Sequence, residues 1–199
     1  MSLLYLFKPR KDRYLSTITT LLDGAGVTAN EVTALGLCLA LGAGLVAYYG
    51  HLYVGLILFA TSAMCDAVDG SLARVSKIGT DFGLYFDGVA DRFSELFFIS
   101  GAVLGAQVPS SAFAVVGGGF ALLLARIYGH AHQWGSVSTT FGRPERLALL
   151  VAGMLSPVPI NTLLFIVAGL CCVFSSVQIL ARGITVQDER REGELQRGF

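Results

Sequence analysis

Apolar residues fall in six runs, at roughly 31–49, 52–73, 83–106, 111–132, 147–159 and 161–181, and short polar segments separate them. A bilayer core of about 30 Å needs about 20 helical residues, and four or five of the runs meet that length. The fifth is short because Ser156-Pro157-Val158-Pro159 breaks it, so it either tilts or begins earlier, at Pro144. The pattern predicts an all-α integral membrane protein with six transmembrane helices. Ahead of them, Lys8, Arg10, Lys11 and Arg13 are followed by Leu15, Ile18, Leu21 and Leu22, the spacing of an amphipathic helix lying on the membrane surface. Gly24 and Gly26 end it, and Thr28 or Asn30 is placed to cap the first span. The predicted organisation is a juxtamembrane segment over 1–27, a six-span domain over 28–182, and a polar cytoplasmic tail over 183–199, mobile at its end.

Charge fixes a topology for these spans. The turns at Gly50-His51, Val108-Pro109-Ser110 and 156–161 contain no Lys or Arg. All basic residues lie in the N-terminal segment, around 74–92, between Arg126 and Arg146, or from Arg182 onward, and the acidic residues fall in the same regions. Cytoplasmic loops collect Lys and Arg. With six spans, both termini therefore face the cytoplasm, in a multi-pass protein of the plasma membrane. Composition agrees, since 54% of the 199 residues are hydrophobic and only 14% charged. A formal net charge of zero gives no electrostatic case for nucleic acid as a partner. Cys38, Cys65, Cys171 and Cys172 sit inside apolar runs without metal-type spacing, as small buried hydrophobes do. A basic cluster precedes any long apolar run, so no cleavable signal peptide is predicted.

The chemistry concentrates where the second and third runs are interrupted by acids. Asp66, Asp69, Gly70 and Ala73 share one face of a helix, and Gly83, Asp87 and Asp91 recur at every fourth position on the next. Two antiparallel helices would bring four carboxylates to one small volume. Their flanking residues are too apolar for a solvated surface loop. So close together, four carboxylates need cations, and oxygen-only ligation points to Mg²⁺ or Mn²⁺ rather than zinc. A pair of such ions commonly clamps a phosphoryl group during in-line displacement. Gly70 and Gly83 leave room for a substrate backbone or nucleotide. Asp66 lies eight residues before Arg74, about 12 Å along a helix, which puts the site at the headgroup–acyl boundary, open to the cytosol.

These residues also carry a resemblance. The spacing D-x2-D-G-x2-A-R-x8-G-x3-D-x3-D, filled here by Asp66, Asp69, Gly70, Ala73, Arg74, Gly83, Asp87 and Asp91, resembles the signature of the CDP-alcohol phosphotransferases, membrane enzymes of phospholipid headgroup synthesis. The stretch 26–33, Gly-Val-Thr-Ala-Asn-Glu-Val-Thr, is similar to the family's entry into its first span, with Ala29 replacing the usual proline. The resemblance implies a CDP-linked diacyl or dialkyl glycerol (CDP-diacylglycerol or CDP-archaeol) as donor, CMP as leaving group, and a homodimer. It implies two metal ions held by Asp66, Asp69, Asp87 and Asp91, with Asp91 as general base. It also implies CDP contacts from Asp66, Asp69, Gly70, Ala73, Arg74 and Gly83.

A second, basic set stands near the same side. Arg126, Arg143, Arg146 and Arg182 lie at the cytoplasmic ends of the fourth, fifth and sixth runs. Beside a two-metal site, arginine forks point to a second anionic substrate, although arginines also snorkel as positive-inside anchors. The sequence Arg143-Pro144-Glu145-Arg146-Leu147 looks like that of the family's inositol-phosphate branch, the phosphatidylinositol phosphate synthases and their archaeal counterparts. In that branch a basic residue on the fourth span, the second arginine of this stretch and an arginine late in the sixth hold the acceptor phosphate. Arg126, Arg146 and Arg182 match those positions, and Glu145 is expected to orient a neighbouring arginine. His130, His132 and Trp134 read as interfacial packing with a tryptophan belt, and His51 as structural. Gly117-Gly118-Gly119 reads as close helix packing.

The expected reaction is transfer of a lipid phosphate from a CDP-lipid to inositol phosphate, releasing CMP. Glycerol 3-phosphate, serine or another small alcohol as acceptor would keep the metal site and alter only the basic pocket. Intramembrane prenyltransferases also pair aspartates with Mg²⁺, but lack the D-G-x2-A-R continuation and normally need more spans. A divalent-cation transporter fits buried carboxylates too, yet such proteins usually bind at the midplane, often with repeated halves, and no repeat is seen here.

Overall fold

The computed structural model describes residues 26–75, 81–132, 134 and 141–197, with Thr19 and Gly24 ahead of them; for 73–75, 81–85, 186 and 188–197 it describes the backbone alone. The predicted surface helix over 1–27 lies almost entirely outside the described residues. All regular structure among the described residues is helical: α1 (Ala29–Tyr48), α2 (Leu52–Val75), α3 (Asp81–Leu104), a short 3₁₀ turn (Ser110–Ala112) running into α4 (Phe113–Ala131), α5 (Arg143–Leu155) and α6 (Ile160–Arg197). The chain forms two compact units that divide after Ser110. In the first, α1 packs against both α2 and α3; in the second, α6 packs against α4 and α5.

Local chemistry explains the ends. Thr28 is the N-cap of α1, and its backbone N–H donates to Glu31 Oε2 at 2.8 Å while Glu31 N–H donates to Thr28 Oγ1 at 3.4 Å. This reciprocal box satisfies donors that the first helical turn leaves open. Of the two residues expected to cap the span, the structure uses Thr28. Gly50 takes φ +94° between α1 and α2, a conformation that side chains disfavour.

Small residues set the packing. In the first unit Gly44 and Gly101 meet backbone to backbone, so that a Cβ on either would overlap the other helix, and Gly105 lies as tightly against Ala47 and Tyr48. Ala40, Ala43 and Ala47 are fully buried beside them, and Phe59 stacks on Phe98 with ring centroids 4.6 Å apart. Such contacts suit helices in lipid, where association depends on close van der Waals fit. In the second unit Gly118 lies against Gly169 and Cys172, the close packing expected of the triple glycine, whereas Gly117 faces open space.

Large side chains point outward along these helices, among them Leu45, Ile57, Met64, Leu124, Leu163 and Leu170. That arrangement is costly in water and natural against acyl chains. Among the described residues, four helical stretches are long and apolar enough to cross a membrane: Ala29–Tyr48, Leu52–Leu72, Ser110–Ala131 and Ile160–Thr185. Helix α3 is long but carries Asp81, Asp87, Asp91, Arg92 and Glu95, and α5, at 13 residues, reaches about 20 Å.

Two expectations need adjusting. The short fifth element starts at Arg143 and stops at Leu155, so the Ser-Pro-Val-Pro segment lies outside it. The sixth does not end near Arg182. It runs through Gly183 to Arg197, because the residues after Gly183 are mostly good helix formers with charges at i, i+4 spacing.

Candidate active site

Helices α2 and α3 bring Asp66, Asp69 and Asp87 together. One carboxylate oxygen from each lies within 4.8 Å of the others, with Asp69 buried and the other two half-buried. Unit charges at that spacing repel by about 3 kcal/mol per pair at an effective dielectric near 20. The cluster is therefore an arrangement that a cation stabilises. Oxygens on opposite sides of a Mg²⁺ ion stand about 4 Å apart, since each bond is near 2.1 Å. Separations of up to 4.8 Å match that demand after small side-chain adjustments, and an all-carboxylate set suits a hard divalent ion. The residues present fit the metal.

Asp91, expected as a fourth ligand, lies one turn beyond Asp87 on α3, outside this group of three. It is buried, with Arg92 Nη2 3.6 Å from its Oδ2. Arg92 is held more closely by Glu95, its Nη1 donating to both carboxylate oxygens at 3.1 Å. All three side chains are buried. A guanidinium inside an apolar helix needs such anionic neighbours. The available signal was a charged i, i+3 pair directly after Asp91, set among Phe93, Leu96 and Phe97.

Thr33 belongs to the site as well. From α1 its Oγ1 donates to Asp69 Oδ2 at 2.5 Å; Ala29 O, at 3.0 Å, is the competing acceptor. A hydroxyl has one proton to give, and the shorter contact to an ionised acceptor takes precedence. By sequence, Thr33 belongs only to the entry into the first span. Local spacing carries no sign of a contact between residues 36 positions apart.

Of the expected nucleotide contacts, Gly70 faces open space: a Cβ built there meets nothing within 4 Å. This separates it from Gly44 and Gly101, where the space is filled by backbone. The side chains of Ala73 and Arg74 lie outside the described residues, and Gly83 is described by its backbone alone, in the first turn of α3.

The four arginines fall in the second unit. Arg146 is almost wholly buried at 1% exposure, Arg143 is half-buried, and Arg126 and Arg182 are exposed. Burying a guanidinium completely is costly, so the placement of Arg146 on the first turn of α5 marks a constrained position. Glu145 accepts the Gly142 N–H at 3.0 Å, capping α5 ahead of that arginine. His130 and His132 are exposed, and the His132 ring lies 4.1 Å from that of Tyr128. Trp134 is not part of an exposed belt; it is 7% exposed and clusters with Leu122, Ala125 and Ile179.

A family model described as CDP-alcohol phosphatidyltransferase matches residues 26–187. The chain is 28% identical over 162 residues to an archaetidylinositol phosphate synthase of Pyrococcus horikoshii, spanning 79% of this chain and 85% of that protein. It is 28% identical over 173 residues to a phosphatidylinositol phosphate synthase of Mycolicibacterium smegmatis, spanning 79% and 77%. Its fold matches the crystal structure of Mycobacterium tuberculosis phosphatidylinositol phosphate synthase with CDP-DAG bound, at TM-score 0.66 and 22% identity, over 86% of this chain and 94% of that one. The same enzyme with manganese and citrate matches at TM-score 0.66 and 22% identity, over 86% and 89%.

Proposed function

We propose, for a chain that belongs to the CDP-alcohol phosphatidyltransferase family, that it moves the phosphatidyl or archaetidyl group of a CDP-linked lipid onto a hydroxyl of inositol phosphate, releasing CMP. The observation that carries this reading is the convergence of Asp66, Asp69 and Asp87 within ligand distance, inside the matched segment. The relatives named for inositol phosphate products support the acceptor.

In this reading Asp66, Asp69 and Asp87 hold the divalent ions, Mg²⁺ or Mn²⁺, with Asp91 contributing to a second site. Bound ions neutralise charge on the diphosphate and on the transferring phosphoryl group. The acceptor hydroxyl attacks the lipid phosphorus, a new P–O bond forms, and the P–O bond to CMP breaks. Asp91 takes the proton of the attacking hydroxyl. Glu95, 3.1 Å from Arg92 against 3.6 Å for Asp91, takes the larger share of the Arg92 charge. Thr33 orients Asp69, and Gly70, Ala73, Arg74 and Gly83 make room for the nucleotide. Arg126, Arg146 and Arg182 take the acceptor phosphate, with Arg143 beside them, as forked donors suited to phosphate oxygens.

The same reading takes all six helices as membrane-crossing, with α3 and α5 joining the four apolar ones. Both termini and the acidic end then face the cytoplasm, because every Lys and Arg falls on that side. The protein works as a homodimer.

The test is CMP release by the full chain in detergent or liposomes, with CDP-diacylglycerol and CDP-archaeol as donors. Inositol phosphate, glycerol 3-phosphate, inositol and serine are compared as acceptors, with Mg²⁺ and Mn²⁺. Inositol phosphate is expected to give the highest kcat/KM, and EDTA to abolish release. Faster turnover of glycerol 3-phosphate would overturn the acceptor assignment and leave the metal chemistry standing.

A further inference from the structure

Trp134 is the chain's only tryptophan, and the reaction above gives it nothing to do. Its surroundings are nonetheless specific. The backbone folds back after α4 so that Trp134 N–H donates to Gly129 O at 3.0 Å. The indole then occupies a seat made by two glycines on different helices. A Cβ on Gly129 of α4 would stand 3.2 Å from the indole Cε3, and one on Gly183 of α6 would fall within the ring itself. Ile179, one turn before Gly183, closes the seat. Among the described residues the buried indole Nε1 has no hydrogen-bond partner, and the ring is seated by shape.

Each glycine has an arginine beside it. Arg182 directly precedes Gly183, and Arg126 lies three residues before Gly129, one turn along the same helix. Side chains as long as arginine's, carried on separate helices, act on one ligand only if the two backbones keep a set spacing.

We propose that Trp134 is a positioning residue, a wedge between α4 and α6 that holds Arg126 and Arg182 at the spacing needed to grip one phosphate monoester of the acceptor. This rests on the acceptor assignment made above. The bare backbone at Gly129 and Gly183 is what admits the ring, and a methyl group at Gly183 expels it.

The single tryptophan makes the wedge directly observable, because its emission reports this seat alone. Gly183→Ala in the full-length enzyme is expected to shift emission to the red. It is also expected to raise KM for inositol phosphate about tenfold or more, while kcat and KM for the CDP-lipid stay within about twofold. Trp134→Leu, which leaves the backbone untouched, is expected to show the same split in KM and serves if Gly183→Ala cannot be purified. The proposal is overturned if emission does not move in Gly183→Ala, if it moves with acceptor KM unchanged, or if both KM values rise together as general loosening would cause. Wild-type turnover of glycerol 3-phosphate in place of inositol phosphate overturns the acceptor assignment alone. The wedge is then read from KM for glycerol 3-phosphate, whose phosphate monoester makes the same demand.

Discussion

Replacing Thr33 by valine removes one hydroxyl and nothing else of size, so the consequence can be worked from a single contact. Thr33 Oγ1 donates to Asp69 Oδ2 at 2.5 Å, and Asp69 is buried. A hydrogen bond to an ionised group contributes about 1.5–3 kcal/mol. In Thr33→Val that term disappears, valine fills the same volume, and the carboxylate is held less firmly toward Asp66 and Asp87. Partners that orient metal ligands are typically worth about 10–100-fold in affinity, a range consistent with the hydrogen-bond figure. Manganese binding to the purified chain, followed by calorimetry or by the electron paramagnetic resonance of free Mn²⁺, is therefore expected to weaken about 10–100-fold. The Mn²⁺ concentration giving half-maximal CMP release should rise in parallel. Thr33→Ser, which keeps the donor, should recover most of the loss. A valine variant that binds Mn²⁺ within about twofold of wild type would refute the idea that α1 orients the metal site, because a lost term of even 1.4 kcal/mol reads as tenfold.

The other expected outcomes concern neighbouring groups. Asp91→Asn should lower kcat by about 10²–10⁴-fold, the range for removing a general base, while CDP-lipid binding measured by calorimetry changes little. Gly70→Ala should leave thermal stability equal or slightly higher, since alanine favours helix by about 1 kcal/mol, and should weaken CDP-lipid binding by filling space now open. Gly101→Ala should lose about 1–3 kcal/mol in thermal unfolding through overlap with the Gly44 backbone. Glu95→Gln keeps one acceptor oxygen for Arg92 but removes the buried negative charge held against it, and should destabilise the fold by about 3 kcal/mol, whereas Arg92→Met with Glu95→Met should return most of it.

Much of the architecture could be read from spacing alone. The hydrophobic runs mark where the six helices among the described residues fall, four of them long and apolar enough to cross a membrane. Asp66, Asp69 and Asp87 were predictable as a group because i, i+3 and i+4 periodicity places them on facing stripes. Contacts between distant segments were not legible. Nothing near Thr33 in sequence announces Asp69. Gly70 and Gly101 look alike as letters, yet one borders open space and the other another helix's backbone. The continuation of α6 was hidden because Gly183 reads as a stop, whereas here it is the floor of an indole's seat. Asp91 was expected with the other three acids, but the buried Arg92–Glu95 pair beside it makes its surroundings different from theirs.

The meeting of Gly44 with Gly101 has a reach beyond its own neighbourhood. No side chain lies between the two backbones there, so no change of rotamer can take up slack, and the crossing acts as a fulcrum for α1 and α3. Fourteen residues separate Gly101 from Asp87, a lever arm of about 21 Å. A tilt of about 3° at the fulcrum would carry the carboxylate about 1 Å, several times the roughly 0.2 Å that a metal–ligand distance tolerates. In the proposed metal site, the placing of a ligand at one end of these helices would thus depend on a contact between two hydrogen-only residues toward the other.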